Sequence, residues 1–348
     1  MKEKISTIRD IAQQAGVSTT TVSDIMTGRS DRFLKETMDR VLDTAAKLNY
    51  RRHIGASAMR SKRFNTLGLV LSQSPEWESM LIEGVESATS HLNLGLMLVR
   101  ISNNVEDLPT VVKNFQVDGL IADWTISSVL SKAIAKYNVP TIWVNNDQHG
   151  PENCIWPDDY SSGKIATEHL ISLGHKDIAF LFIPQSTHPS QEMRLAGYRQ
   201  AMSEARYAPR VIRCDCTDNP KDLRQQPEYF KNRYSHPELW VQLEQGGRPT
   251  AFVCYNTLAA MELYNACFRR KIYIQDQFAV VSCDEMLEHA EKAVPSITTV
   301  LVDHAEMGRM AVNMLLERIK NAGLSLPSRV LPVRVNRRES SFRPIPND

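Results

Sequence analysis

Thr7-Ile8-Arg9-Asp10-Ile11-Ala12-Gln13-Gln14-Ala15-Gly16-Val17-Ser18-Thr19-Thr20-Thr21-Val22-Ser23 reads as two short helices around a glycine-bearing turn. Thr7 is placed to cap the first helix, with Asp10 in its first turn, where the helix dipole favours a negative charge. Ile8, Ile11, Ala12 and Ala15 share one face, and Gly16 supplies the left-handed residue that ends a helix. Ser18 then caps a second helix with Val22, Ile25 and Met26 inward and Thr19, Thr20, Ser23 and Asp24 outward. Short polar side chains on an exposed helix start let a backbone approach base edges and phosphates, so the pattern predicts a DNA-reading head. A third helix, roughly Lys35 to Leu48, carries Met38, Val41, Leu42, Ala45 and Leu48 at helical spacing and closes a small core.

Charge separates this head from the rest of the chain. Residues 1–63 hold 13 Lys and Arg against 7 Asp and Glu, a formal +6, whereas the other 28 basic and 33 acidic residues leave −5. A whole-chain charge of +1 therefore hides a basic head on an acidic body, as expected where one end neutralises phosphates. Between Tyr50 and Asn65 the chain turns basic and poor in large apolar residues. This stretch reads either as a solvated linker or as a hinge that becomes helical on DNA, with Ala56 and Met59 in the minor groove.

From Leu67 onward short apolar runs alternate with helical patterns: Leu67–Leu71, Leu94–Val99, Gly119–Ala122, Pro140–Val144, Ile178–Ile183, Ala251–Cys254 and Phe278–Ser282. The intervening helices fall around Met80–His91, Gly163–Leu173, Glu192–Ala205 and Leu258–Arg269. Such alternation over more than 270 residues implies parallel sheets with helices on both faces, in two doubly wound lobes. Ligands of such sheets bind beyond the carboxyl ends of the strands, which puts a small-molecule site between the lobes. Among loops after first-lobe strands, Ser72, Trp77, Trp124 and Asn145 are candidates for hydrogen bonding or stacking, although each taken alone reads first as a packing or surface residue. Asp284, after the run Phe278–Cys283, is placed to accept sugar hydroxyls or to cap a loop.

Six cysteines (Cys154, Cys214, Cys216, Cys254, Cys267, Cys283) lack C-x-x-C spacing and read as buried reduced thiols, so no metal or cofactor is expected. No Gly-x-Ser-x-Gly, phosphate-cradling loop or metal spacing argues for an enzyme, and Asp158-Asp159 reads as a solvated or capping pair. Without an apolar leader or a bilayer-length apolar run, a cytoplasmic protein is expected, with no membrane partner. The segment Cys214–Pro249, with Tyr229, Phe230, Tyr234 and Trp240 among charges, reads as a lid, an interaction surface or a solvated insertion.

An ordered series of motifs resembles the lactose-repressor/galactose-repressor family of bacterial transcription regulators along nearly the whole chain. It comprises Asp10-Ile11-Ala12, Ala15-Gly16-Val17-Ser18, Thr21-Val22-Ser23, Asn49-Tyr50, Thr66-Leu67-Gly68-Leu69-Val70, Val117-Asp118-Gly119-Leu120-Ile121, Leu173-Gly174-His175, Arg194-Leu195-Ala196-Gly197-Tyr198, Pro249-Thr250-Ala251, Asp284-Glu285, Ser296-Ile297-Thr298-Thr299-Val300 and Arg338-Glu339-Ser340. The resemblance implies a homodimeric repressor reading a pseudo-palindromic double-stranded operator, and a core like that of periplasmic sugar-binding proteins. Its effector, carbohydrate-like, sits between the lobes and shifts operator affinity through the hinge. The implied domains are a helix-turn-helix head over 1–50, a hinge over 51–65 and a core over 66–348. Lobe 1 then spans 66–162 and 294–324, lobe 2 163–293 and 325–348, with crossings near Ser161–Lys164, Glu291–Ser296 and Ala322–Pro327.

The DNA-contact set is Thr7, Ser18, Thr19, Thr20, Thr21, Ser23, Asp24, Arg29, Tyr50, Ala56, Met59 and Arg60. Arg194 matches the family's ligand arginine, a fork suited to vicinal hydroxyls or a carboxylate, and Asn256 matches a further effector position. Asp24 stands where the family commonly has arginine, Leu34 where a serine caps the third helix, Met59 for a leucine wedge, and Thr257 for an aspartate. The closing Phe342-Arg343-Pro344-Ile345-Pro346-Asn347-Asp348 has no leucine heptad, which favours a dimer over a tetramer.

Overall fold

The computed structural model describes residues 6–26, 28, 30–50, 63–71, 77–100, 116–123, 131–132, 134, 136–145, 152–182, 188–213, 237–321 and 323–342, which form two compact units, 1–64 and 65–348.

In the first unit, α1 (Ile8–Ala15) opens on a reciprocal cap: the Thr7 amide donates to Asp10 Oδ2 at 2.7 Å and the Asp10 amide to Thr7 Oγ1 at 3.4 Å. Gly16, at φ +66°, ends it. Ser18 Oγ accepts the Thr21 amide at 3.0 Å and starts α2 (Thr19–Met26). α3 (Lys35–Lys47) begins at Leu34, which has the extended backbone of a cap residue but no side-chain acceptor. Ile11, Ala12, Ala15, Val22, Ile25, Val41 and Ala45 make the core, with Met38, Leu48 and Tyr50 packed at its edge. Leu42, read as inward, is 48% exposed because the inward stripe of α3 runs Met38, Val41, Ala45, Leu48 and leaves it to one side. Leu34→Ser is expected to stabilise this unit by about 1 kcal/mol by filling the vacant acceptor position. Slower amide exchange in α3 of the full chain would show it.

The second unit carries two six-stranded sheets. The first is built from β1 (Thr66–Leu71), β2 (Gly95–Arg100), β3 (Gly119–Asp123), β4 (Thr141–Val144) and β5 (Cys154–Pro157), with α4 (Trp77–His91) between β1 and β2. α5 (Asp159–Ser172) leads to the second, which holds β6 (Ile178–Phe182), α6 (Ser190–Glu204), β7 (Arg210–Arg213), α7 (Pro237–Gly246), β8 (Ala251–Cys254), α8 (Thr257–Arg269), α9 (Ile274–Gln277), β9 (Ala279–Ser282), α10 (Leu287–Lys292) and β10 (Thr298–Leu301). The chain returns through α11 (His304–Lys320) and β11 (Arg329–Leu331) to the first sheet and finishes with β12 (Arg334–Asn336) in the second. Strand orders are β11-β5-β4-β3-β1-β2 and β12-β10-β9-β8-β6-β7, all pairings parallel except β10 with β12.

Parallel strands are covered on both faces, so their residues are apolar throughout and sort by period two. Leu67, Leu69 and Leu71 face the α4–α11 side while Val70 faces the other; Ile178, Phe180 and Phe182 likewise oppose Ala179 and Leu181. Paired glycines let helices cross closely in each lobe. A Cβ on Gly84 would lie 2.0 Å from the Ala305 carbonyl oxygen, and one on Gly163 1.8 Å from that of Arg194.

Crossings between sheets fall at Asp158, at Val302–Asp303 and at Pro332–Val333, which corrects the expected positions by several residues. The reason is local pairing: Thr298 and Thr299 align with Val281 and Ser282, so the chain stays in the second sheet through β10. The segment Cys214–Pro249 is corrected in part too. Residues 214–236 lie outside the described residues, but Leu239, Trp240 and Leu243 of α7 are buried core of the second lobe. Cys154, Cys254, Cys267 and Cys283 are buried free thiols, and burial pushes the last two up to about 12. Cys214 and Cys216, like the tail 343–348, lie outside the described residues. No helix among the described residues is long and apolar enough to cross a membrane.

Candidate functional site

Beyond the carboxyl ends of the strands lies a cavity of about 290 Å³ between the two sheets. The first lobe supplies Asn145 after β4 and Trp156 and Pro157 of β5. The second supplies Tyr160 at the start of α5, and His188, Ser190 and Met193 at the start of α6. Asp158 and Asp159 mark the crossing between them. Asp158 caps α5, accepting the Ser161 amide at 2.9 Å and its hydroxyl at 2.7 Å.

Asp159 has a different task. Its Oδ1 accepts Arg194 Nε at 2.8 Å, while Arg194 Nη1 donates to the Tyr255 carbonyl at 2.9 Å and to Asp284 Oδ2 at 3.3 Å. The guanidinium also lies 5.1 Å from the Tyr255 ring centroid and is 6% exposed. Burial alone opposes its charge, but Asp159 and Asp284 outweigh burial and hold its pKa above the ordinary arginine value. This geometry depends on the α5–α6 crossing at Gly163 and Gly197, where Cβ atoms would collide with the Arg194 and Tyr160 carbonyls.

Asp284 is anchored from behind: Oδ1 accepts the Thr257 amide at 2.7 Å and its hydroxyl at 3.0 Å. Thr257, which stands where the family has an aspartate, supplies this anchoring with its amide and hydroxyl. Asn256 caps α8 through the Ala259 amide at 2.8 Å. A second chain of bonds spans the lobes. The Ser190 amide donates to His188 Nδ1 at 3.1 Å, which fixes that nitrogen as an acceptor and leaves Nε2–H to donate to the Asn145 carbonyl at 3.1 Å. Ser190 Oγ also pairs with His188 Nδ1 at 2.6 Å and with the Tyr255 hydroxyl at 2.9 Å, which joins this chain to Arg194.

Of the seven candidate effector residues, Asn145 lines the cavity. Arg194, Asp284 and Asn256 gather at the second lobe's strand ends. Ser72, Trp124 and the Trp77 side chain lie outside the described residues. Reasoning from sequence missed Trp156, Tyr160, His188, Ser190 and Asp159; the signal available for Asp159 was that a buried arginine requires carboxylate partners.

His304, first residue of α11, is within electrostatic reach of this cluster. Burial, reinforced by Arg194 and only partly offset by Asp284 and Asp303, pushes its imidazole down to about 4. Between the free value near 6.5 and that value the unfolded chain binds the extra proton. The stabilisation is complete above pH 6.5 and is lost as pH falls toward 4, a change on the order of 3 kcal/mol. Denaturant unfolding across pH 4–7 should show this slope, flattened in His304→Gln.

In the head, Thr19 and Thr20 are exposed on α2 and Thr7 on the start of α1, with Ser18, Thr21 and Ser23 beside them. Tyr50 packs half-buried against the core, and Asp24 is paired with Arg32. Arg29, Ala56, Met59 and Arg60, with the hinge over 51–62, lie outside the described residues. Among the described residues no His, Cys, Asp and Glu cluster could hold a metal ion.

A capped helix-turn-helix unit joined to two doubly wound lobes around a cavity defines a ligand-responsive DNA-binding regulator. The model of the bacterial regulatory proteins, lacI family, matches residues 7–53, and that of the periplasmic binding protein-like domain matches residues 167–341. The HTH-type transcriptional repressor PurR of Histophilus somni (strain 2336) is 28% identical over 338 residues, 92% of this chain and 94% of that protein. The ribose operon repressor of Escherichia coli (strain K12) is 28% identical over 326 residues, covering 90% and 93%. The lac repressor dimer bound to operator and the anti-inducer ONPF has the same fold, with a TM-score of 0.74 at 23% identity over 97% of this chain and 100% of that one. The chain thus belongs to the periplasmic binding protein-like family over half its length, carries a lacI-family regulatory domain at its head, and is a DNA-binding transcriptional regulator.

Proposed function

We propose that the protein is a cytoplasmic, homodimeric repressor whose operator affinity is set by a small, uncharged, polyhydroxylated effector in the interlobe cavity. What carries the choice of effector is charge. Arg194 is already matched by Asp159 and Asp284, and no lysine or arginine lines the cavity among the described residues. Such a site repels phosphate esters and carboxylates while offering acceptors to hydroxyl donors. Trp156 and Tyr160 of the lining offer stacking surfaces for the apolar face of a ring.

The volume lies at the small end of ligand pockets, which suits a single ring. An effector touching Asn145 and Trp156 on one lobe and Tyr160 and His188 on the other binds the closed and open arrangements unequally, as any effector that alters DNA affinity must. A hydrolytic reading of the Ser190–His188 pair is weaker. The imidazole Nδ1 is already occupied by the Ser190 amide, and Ser190 is 2% exposed. A thermal-shift screen of the full chain against neutral monosaccharides, nucleosides and their phosphate esters tests the proposal. Stabilisation by a neutral compound, weakened at least tenfold in His188→Ala, is expected; stabilisation by phosphate esters alone would refute it.

A further inference from the structure

On α2 the inward residues are Val22 and Ile25, so Thr20 and Asp24, one turn apart, share the outward face. A bare carboxylate there would oppose DNA phosphates. Asp24 is not bare: its Oδ2 accepts Arg32 Nη2, and the Arg32 guanidinium lies 5.1 Å from the centroid of the neighbouring Phe33 ring. The Asp24 side chain is 13% exposed and that of Arg32 67%. Anchored through one Nη2 hydrogen and laid against an aromatic face, the guanidinium keeps Nε and Nη1 without partners among the described residues, so the second Nη2 hydrogen and the N–H beside it remain as a parallel pair. That is a planar donor fork held rigid on the outward face of the helix.

We propose that Arg32 is a specificity-determining residue that donates to the O6 and N7 acceptors of a guanine in each operator half-site, with Asp24 as its positioning residue. The inference rests on the DNA-binding reading of the head. Two parallel N–H groups match the guanine edge, and a fork already fixed by Asp24 loses little freedom on binding.

The test uses the full chain and a randomised duplex pool, with bound sequences read at two salt concentrations for the unmodified protein, Arg32→Ala, Arg32→Lys and Asp24→Asn. Arg32→Ala is expected to erase a guanine preference at one symmetry-related pair of positions, with about a tenfold to hundredfold loss there. Arg32→Lys keeps the charge but not the fork and loses the same preference; Asp24→Asn weakens it less, and no other position changes. Uniform weakening across all sequences with a shallower salt dependence would mean a phosphate contact and overturn the proposal. An unchanged profile in Arg32→Ala would overturn it as well. Amide exchange in α2 confirms that each variant head is folded. If the unmodified protein selects no sequence at all, the DNA-binding reading fails instead.

Discussion

Arg194→Met is expected to destabilise the second unit by about 3–5 kcal/mol, because it leaves Asp159 and Asp284 facing each other in a buried site without their cation. Asp159 is 11% exposed and Asp284 24%, so water only partly relieves the repulsion. A loss of that size is a large share of a typical domain's stability. Neutralising both carboxylates alongside, as Arg194→Met with Asp159→Asn and Asp284→Asn, should return much of it. Denaturant unfolding of the full chain reads both effects. A single variant within 1 kcal/mol of the unmodified protein would mean that the three charges do not act as one unit.

The second large effect is steric. Gly163→Val places a Cβ 1.8 Å from the Arg194 carbonyl oxygen and 2.6 Å from its carbon, both backbone atoms that cannot turn aside. α5 and α6 must then separate, and Arg194 loses its register with Asp159. The expected cost is about 3 kcal/mol or more, at or beyond the upper end of overpacking penalties. Gly197→Ala, whose Cβ would lie 2.0 Å from the Tyr160 carbonyl oxygen, should act in the same direction. Glu168→Ala, on the exposed side of α5, should stay within about 0.5 kcal/mol. A Gly163→Val protein as stable as the unmodified one would contradict the close crossing.

The head was legible because its determinants are local. Thr7 with Asp10, Gly16 at a positive φ and Ser18 with Thr21 act within a few residues, so spacing reveals them. In the core, strands with longer apolar runs such as β1 and β6 were equally plain. Cys154–Pro157, Arg210–Arg213, Thr298–Leu301 and the two last strands were not read as strands. They are short, and what makes them strands is pairing with distant partners, as when Arg329 aligns with Ile155.

The same distinction runs through the site. Asp284 and Asn256 sit just after β9 and β8, a place that strand patterning alone exposes. Asp159 and His188 acquire their roles from partners 35 and 43 positions away, Arg194 and Asn145. Side by side in sequence, Asp158 and Asp159 look interchangeable; only the α5–α6 crossing assigns one to a helix end and the other to a buried cation.

The most direct test of a ligand-responsive regulator is selection of bound duplexes from a randomised pool by the full chain, repeated with any neutral compound that raises its thermal stability. The prediction is a pseudo-palindromic, salt-sensitive consensus whose occupancy changes when that compound fills the cavity, and no consensus for a chain lacking residues 1–50. Retention without sequence preference, or occupancy indifferent to every compound that binds the core, would contradict it.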